Sequence, residues 1–456
     1  MIAARPNIVV IFCAGVAAAA TAAIAAQAPP LTAISVVPGV ACGAALFYLA
    51  LRGNRTAALL LLFGTVFLMQ AVFRIRAYDD KDIDFQVIIK MALWVAVATV
   101  ATVYVRRWAH LLLQPTNLPA ILFILWLPLT ATASSAPNYT LASAFTIVAC
   151  VLTCAYVFAR FPASTVFLTI LASVTLFCAI SIVVYFVLPE FGHYVYWLNE
   201  ERFVSPRLAG IAGSANNMAL IASFGIILIA LEARTLYRIN PLSLPAATAI
   251  CGAALVMTNS RMALAMTCAI VAMMWLLNWR RLYAGLFIAS TGLLAAIAIL
   301  PFGQDALLKA VSRSGTVGEV TSFTGRTEIW YTVLKLAQLQ PWMGYGYGSS
   351  VFVLPEHTDA IGFATSHAHN LFLQLLLTTG GVGLLLFLAT MLALGIRAVA
   401  YRDRVIVVML AFVVLNGLTE SSGFTTLANI CTLAFAIAVA YDPRRSRDEN
   451  RAAYQR

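Results

Sequence analysis

Apolar runs long enough for a helix to cross a bilayer, about 18 residues each, recur along the whole chain. They lie near 7–27, 31–51, 57–73, 86–105, 118–135, 139–159, 164–188, 211–231, 240–258, 262–278, 282–300, 371–396, 405–422 and 424–441. Backbone exposed to lipid must satisfy its own hydrogen bonds, so such runs are helices or the strands of a closed barrel. No alternating apolar and polar pattern suggests a barrel. Charged residues make up 10% of the 456 positions, against about 25% in soluble domains. The expectation is an all-α polytopic membrane protein with about 12–14 transmembrane helices. The first run follows a short basic start and precedes "AQAPPL", but it is long enough to span and reads as a span rather than a cleaved leader.

The net charge of +11 is informative through its placement. With the N-terminus in the cytoplasm, Arg5, Arg52, Arg55, Arg106, Arg107, Arg160, Arg234, Arg238, Arg280, Arg281, Arg397, Arg402, Arg404 and the tail fall inside. That side takes 18 of the 29 Lys and Arg, while 13 of the 18 acids fall on the other. This positive-inside pattern predicts that both termini are cytoplasmic, and it accounts for the basic balance without nucleic acid. The eight cysteines all lie in apolar runs with no CxxC pattern, so neither a disulfide framework nor a thiolate metal site is expected.

The expected organisation is a helical bundle over 1–300, a large outer loop over 301–370, closing spans over 371–441 and a tail over 442–456. Residues 189–210 form the other long outer segment, the first in chain order. Within the large loop, Ile329, Trp330, Val333, Leu334 and Ala337 recur at helical spacing, which predicts an amphipathic helix over 326–339 lying on the membrane surface. Pro341 ends it, and Gly344, Gly346 and Gly348 make a tight turn. That glycine run lacks the strand and helix of a nucleotide loop.

The polar residues at span ends carry the chemistry. Arg207 closes the first outer segment in "SPRLAGIAGSANNMAL", Arg261 sits in "MTNSRMALAM", and Arg326 opens the amphipathic helix. His367, His369 and Asn370 stand in "SHAHNLFLQ" before a long apolar run. Each has a plainer reading: an interfacial anchor for Arg207, snorkelling for Arg261, solvation of a helix start for Arg326, interhelical hydrogen bonding for Asn217. Together they place guanidinium groups, which suit phosphate oxygens, beside imidazole, which can take a proton from a hydroxyl. His367 is expected on a different face from His369. Asp79, Asp80, Asp82 and Asp84 in "YDDKDID" fit no calcium loop and read as a solvated turn, so no metal is expected.

At these residues the sequence resembles the O-antigen ligase and O-antigen polymerase superfamily of GT-C-type membrane glycosyltransferases. "HNLFLQLLLTTGGVGLLLF" is similar to the signature that follows the family's large periplasmic loop. "SRMALAM", with Ser260 before Arg261, "GRTEIW" and "RLAGIAGSANNMAL" resemble its other arginine segments. The resemblance covers the C-terminal half. It implies a bacterial inner-membrane enzyme with a periplasmic active site, an undecaprenyl-diphosphate-linked glycan as donor, inversion at the anomeric carbon, and neither metal nor cofactor. Carried over, His369 becomes the base, Arg207, Arg261 and Arg326 the diphosphate ligands, and His367, Asn370, Asn217 and Ser260 supporting residues. Where many relatives carry an acid before the Gly-x-x-Gly step, this chain has Thr378 and Thr379. The leading expectation is ligation of O-antigen to lipid A-core. The alternatives are O-antigen polymerisation, protein O-glycosylation and, from another class, transport of a lipid-linked glycan.

Overall fold

A computed structural model describes residues 30–74, 84–198, 201–276, 326–420 and 423–445. The first apolar run, the run at 282–300 and the loop over 301–325 lie outside these residues. The helices of eight or more residues are α1 (Pro30–Leu51), α2 (Arg55–Gln70), α3 (Phe85–Val103), α4 (Val105–Leu112), α5 (Leu118–Leu129), α6 (Pro137–Arg160) and α7 (Ala163–Val187). They continue as α8 (Ala215–Ile239), α9 (Ser243–Met257), α10 (Arg261–Leu276), α11 (Arg326–Leu339), α12 (Leu371–Ala400), α13 (Arg404–Thr419) and α14 (Ile430–Ala440). Six helical stretches among the described residues are long and apolar enough to cross a membrane, and six more are shorter and apolar. The chain is an all-α polytopic membrane protein.

Helix α6 packs on α3 and α14, α8 on α7 and α9, and α12 on α5 and α13. The centre is aromatic: Phe123, Phe387, Phe424 and Phe435 stack with centroids 5.3–6.3 Å apart. Two elements depart from the expected pattern. Residues 189–210 form no simple loop but carry an antiparallel hairpin, β1 (His193–Leu198) with β2 (Glu201–Leu208). Helix α4 buries Trp108, Leu111 and Leu112 and exposes Arg106, Arg107 and His110, so the chain turns into an amphipathic helix directly after α3.

Arg397, expected in a cytoplasmic loop, is only 2% exposed. Its guanidinium donates to Asn117 Oδ1 at 2.8 Å, to the Tyr441 carbonyl at 3.2 Å and to the Ala438 carbonyl. It thus satisfies the carbonyls orphaned at the end of α14, where a cation also meets the negative end of the helix dipole.

Residues 371–396 do not form one straight span. A continuous helix would separate Phe372 from Phe387 by about 22 Å, yet their rings lie 6.3 Å apart. The chain bends sharply back at Gly380 (φ 68°, ψ −174°), a conformation open only to glycine. A Cβ there would also stand 2.2 Å from the Trp342 carbonyl oxygen. The break frees polar backbone groups, and three of them find partners outside the helix. Tyr345 N donates to Leu377 O at 2.9 Å, Gly381 N to Pro341 O at 2.7 Å, and Trp126 Nε1 to Thr379 O at 3.0 Å. Residues 381–400 alone measure about 30 Å, one bilayer core. Residues 371–379 form a half-helix whose first residue, Leu371, packs against Gly417 of α13.

The amphipathic helix occurs over the expected residues, but its apolar side faces protein. Ile329, Val333 and Leu336 cluster with Val353, Leu354, Ile361, Ala368 and Leu377, while Leu334 is exposed. Gly344, Gly346 and Gly348 all take positive φ, forming the tight turn that docks beside Gly380.

Candidate functional site

Four polar side chains, drawn from far-apart segments, converge on Glu420 or on its neighbour. Arg207 leaves the end of β2, stacks over Tyr194 at 5.4 Å and donates from Nε to the Thr258 carbonyl at 2.8 Å. Its Nη2 donates to Asn216 Oδ1 at 3.1 Å, and Asn216 Nδ2 donates to Glu420 Oε1 at 3.0 Å. Arg326 Nη2 reaches the same carboxylate oxygen at 3.1 Å. The other oxygen, Oε2, lies 3.1 Å from His369 Nδ1.

Local chemistry fixes the imidazole. Asn370 caps α12 by accepting from Phe372 N and Leu373 N. Immediately before it, Ala368 is held at both backbone groups: its N–H donates to Gln374 Oε1 at 3.0 Å and its carbonyl accepts from Trp330 Nε1 at 2.9 Å. Between these clamps His369 adopts φ 49°, the left-handed region that a side chain with a Cβ enters at a cost of about 1–2 kcal/mol. Asn259, two residues before Arg261, sits at φ 50°. Residues forced into this conformation gather at functional sites.

The electrostatics define a tautomer. Burial alone would raise the Glu420 carboxyl, but the hydrogen bond from His369 and the charges of His369 and Arg326 outweigh it and hold it below the usual carboxylate value. A carboxylate only accepts, so Nδ1 of His369 carries a proton and, in the neutral imidazole, Nε2 keeps its lone pair. Glu420 thereby orients the imidazole, an arrangement that can balance the charge of an imidazolium.

His367 takes no part in this contact. It lies in the loop before α12, not on a helix face as expected. Burial and the neighbouring His369 push it down to about 4, and its Nδ1 is enclosed without a hydrogen-bond partner. Asn217 is exposed, and the adjacent Asn216 makes the bridging bonds in its place. The helical turn between them aims one side chain at Glu420 and the other away. Arg261 opens α10 with its side chain exposed, three residues beyond Thr258, and Ser260 accepts the backbone bond from Leu264. Thr378 and Thr379 return their hydroxyls to the carbonyls one turn back. The acid of the site is instead Glu420, 51 residues beyond His369.

Helix ends add to the field. Asn216, Arg261, Arg326 and Asn370 stand at the N-terminal ends of α8, α10, α11 and α12, whose partial positive charges favour an anion. Of the acidic turn, Asp84 is described and caps α3 through Gln86 N and Val87 N. Its neighbours Asp79, Asp80 and Asp82 lie outside the described residues. Among the described residues, no group of three or more His, Cys, Asp or Glu is arranged around a metal position.

Residues 246–388 match the family model described as O-antigen ligase. Over these residues the chain is similar to the O-antigen ligase/polymerase superfamily. No curated protein matches it significantly. The superfamily match contains Arg261, Arg326 and His369 and ends before Glu420, while Arg207 and Asn216 precede it. The matched family is one of glycosyltransferase-like enzymes that handle a lipid-linked glycan and a polysaccharide or lipid acceptor.

Proposed function

We propose that this protein is an O-antigen ligase of the bacterial inner membrane, with its site at the periplasmic face and both termini in the cytoplasm. It transfers O-antigen from undecaprenyl diphosphate to a sugar hydroxyl of lipid A-core, with inversion and without a metal. The observation that carries this reading is the His369–Glu420 contact beside Arg326 and Arg207, one base and several cations held by separate elements. Nε2 of His369 takes the proton from the acceptor hydroxyl as its oxygen attacks the anomeric carbon. The bond from that carbon to the phosphate oxygen breaks, and the electron pair leaves on the diphosphate. Arg207, Arg261 and Arg326, aided by the helix N-termini, stabilise the charge that develops there. His367, Asn370 and Ser260 shape the walls, Asn216 holds Arg207 to Glu420, and Glu420 balances the imidazolium.

The test is transfer by purified protein from undecaprenyl-diphosphate-linked glycan to lipid A-core in the presence of EDTA, with His369→Ala alongside. Loss of a general base lowers the rate by about 10²–10⁴-fold. Metal-independent transfer that survives in the variant removes His369 from the chemistry. Lengthening of the carrier-bound glycan identifies a polymerase, transfer to a protein hydroxyl identifies a protein glycosyltransferase, and no transfer to any acceptor returns the transporter.

A further inference from the structure

At the far end of the bundle from Glu420, four arginines surround one glycine. Gly53 joins α1 to α2 at φ 85°, and a Cβ there would meet Tyr104 Oη at 3.2 Å and Arg160 Nη2 at 3.8 Å. Tyr104 Oη donates to the Leu51 carbonyl at 2.9 Å, and Arg160 donates to the Gly53 carbonyl. Arg55 donates back to the Arg160 carbonyl at 3.0 Å. Rings hold the guanidinium groups in place. Arg107 and Arg160 lie 5.1 and 5.4 Å from the Tyr104 centroid, Arg55 lies 5.4 Å from that of Phe161, and Arg52 lies 5.1 Å from that of Tyr48.

Among the described residues, no carboxylate pairs with any of these four cations. Nε and Nη1 of Arg160 are buried without a hydrogen-bond acceptor. Arg52, Arg55 and Arg107 are exposed and fixed by stacking, so they are arranged before any anion arrives. The N-terminus of α2, which begins at Arg55, points its positive end into the same cluster. Uncompensated cations held at one place call for a polyanion, and guanidinium geometry favours phosphate oxygens.

The surface beside the cluster says which phosphate. Tyr48 and Leu49 on α1, Val103 at the end of α3 and Val105 at the start of α4 are exposed large hydrophobics. A free phosphate has no use for them, whereas a phospholipid covers them with its acyl chains while its headgroup meets the arginines. We propose that Arg52, Arg55, Arg107 and Arg160, around Gly53 and Tyr104, form a binding site for the headgroup of an anionic glycerophospholipid. The site lies at the membrane face opposite the glycosyl-transfer centre and owes nothing to it.

The probe is dioleoylphosphatidylglycerol titrated onto delipidated full-length protein, with binding read by native mass spectrometry. Wild type is expected to retain one lipid saturably. Arg52→Gln/Arg107→Gln, which removes two exposed charges and leaves the Arg55 and Arg160 bonds intact, is expected to bind about 25-fold more weakly, about fivefold per cation. Arg55→Gln supplies a second variant if the first does not fold. Arg234→Gln/Arg238→Gln, a basic pair elsewhere on that face, is expected to bind like wild type. Equal weakening in that control, or binding of phosphatidylcholine as tight as that of phosphatidylglycerol, overturns the proposal. So does competition by inorganic phosphate or glycerol 3-phosphate at the lipid's own concentration, which assigns the cluster to a free anion.

Discussion

Replacing Glu420 by Gln keeps the shape of the side chain and removes its charge. The carboxylate holds three partners at 3.0–3.1 Å: Asn216, Arg326 and His369. Gln can still accept from Asn216, so two charge-assisted contacts are what the variant loses. Such hydrogen bonds contribute about 1.5–3 kcal/mol each when shielded. Here the partners are 19–31% exposed, and screening reduces each to about 1 kcal/mol. The expected cost in stability is therefore about 2 kcal/mol, visible as a fall of a few degrees in the melting temperature of detergent-solubilised protein. The effect on transfer is larger. Without the carboxylate, the imidazolium formed as His369 accepts a proton loses its counter-charge, and the Nδ1–H tautomer loses its partner. The rate constant is expected to fall about 10²-fold with little change in the donor concentration that half-saturates the enzyme. A Glu420→Gln protein that keeps its rate within threefold and its pH profile unchanged would refute the orienting role.

The same carboxylate sets the response to acid. Its folded value lies below the ordinary 4.5, so the unfolded chain binds the proton more readily. The stabilisation is complete above about pH 4.5 and is lost as pH falls through the depressed value. Melting temperature against pH is expected to show an acid limb that flattens in Glu420→Gln; an identical limb in both proteins contradicts this. Gly380→Ala places a methyl group against the Trp342 carbonyl at a left-handed φ and is expected to cost more than about 2 kcal/mol, measured by the yield of monodisperse protein. A normal yield and melting point would show that the bend tolerates a side chain. Arg397→Met leaves the carbonyls at the end of α14 unpaired and is expected to destabilise by about 3 kcal/mol, and thermal unfolding unchanged within a degree would dismiss the cap. Asn216→Ala is expected to reduce transfer at least tenfold while Asn217→Ala does not; the reverse order restores Asn217 to the site.

Much of the bundle was legible because lipid leaves a chain few options: the apolar runs at 139–159 and 164–188 became α6 and α7 within a few residues. Helical spacing likewise located α11 over 326–339. What failed was non-local. Glu420 lies within the apolar run at 405–422, where a carboxylate is as costly as the arginine at 261 beside its span. That cost was the available signal. Nothing local could pair it with His369, 51 residues away. The choice of Asn216 over Asn217 depends on the rotation of α8, set by its packing on α7 and α9. The bend at Gly380 depends on residues 341–345, which accept and donate the bonds that a broken helix lacks.

That bend also dictates an order of assembly. In isolation, residues 371–396 are most stable as one unbroken span, since every backbone group is then paired within the helix. Breaking it in hydrocarbon exposes carbonyls at several kcal/mol each until Tyr345 and Trp126 arrive. The segment is therefore expected to enter the membrane straight and to bend only once α5 and the turn at 341–345 are in place. His369 stands two residues before the half-helix that bends last, so under the proposed function an incompletely assembled chain has no oriented base to take the proton from an acceptor hydroxyl.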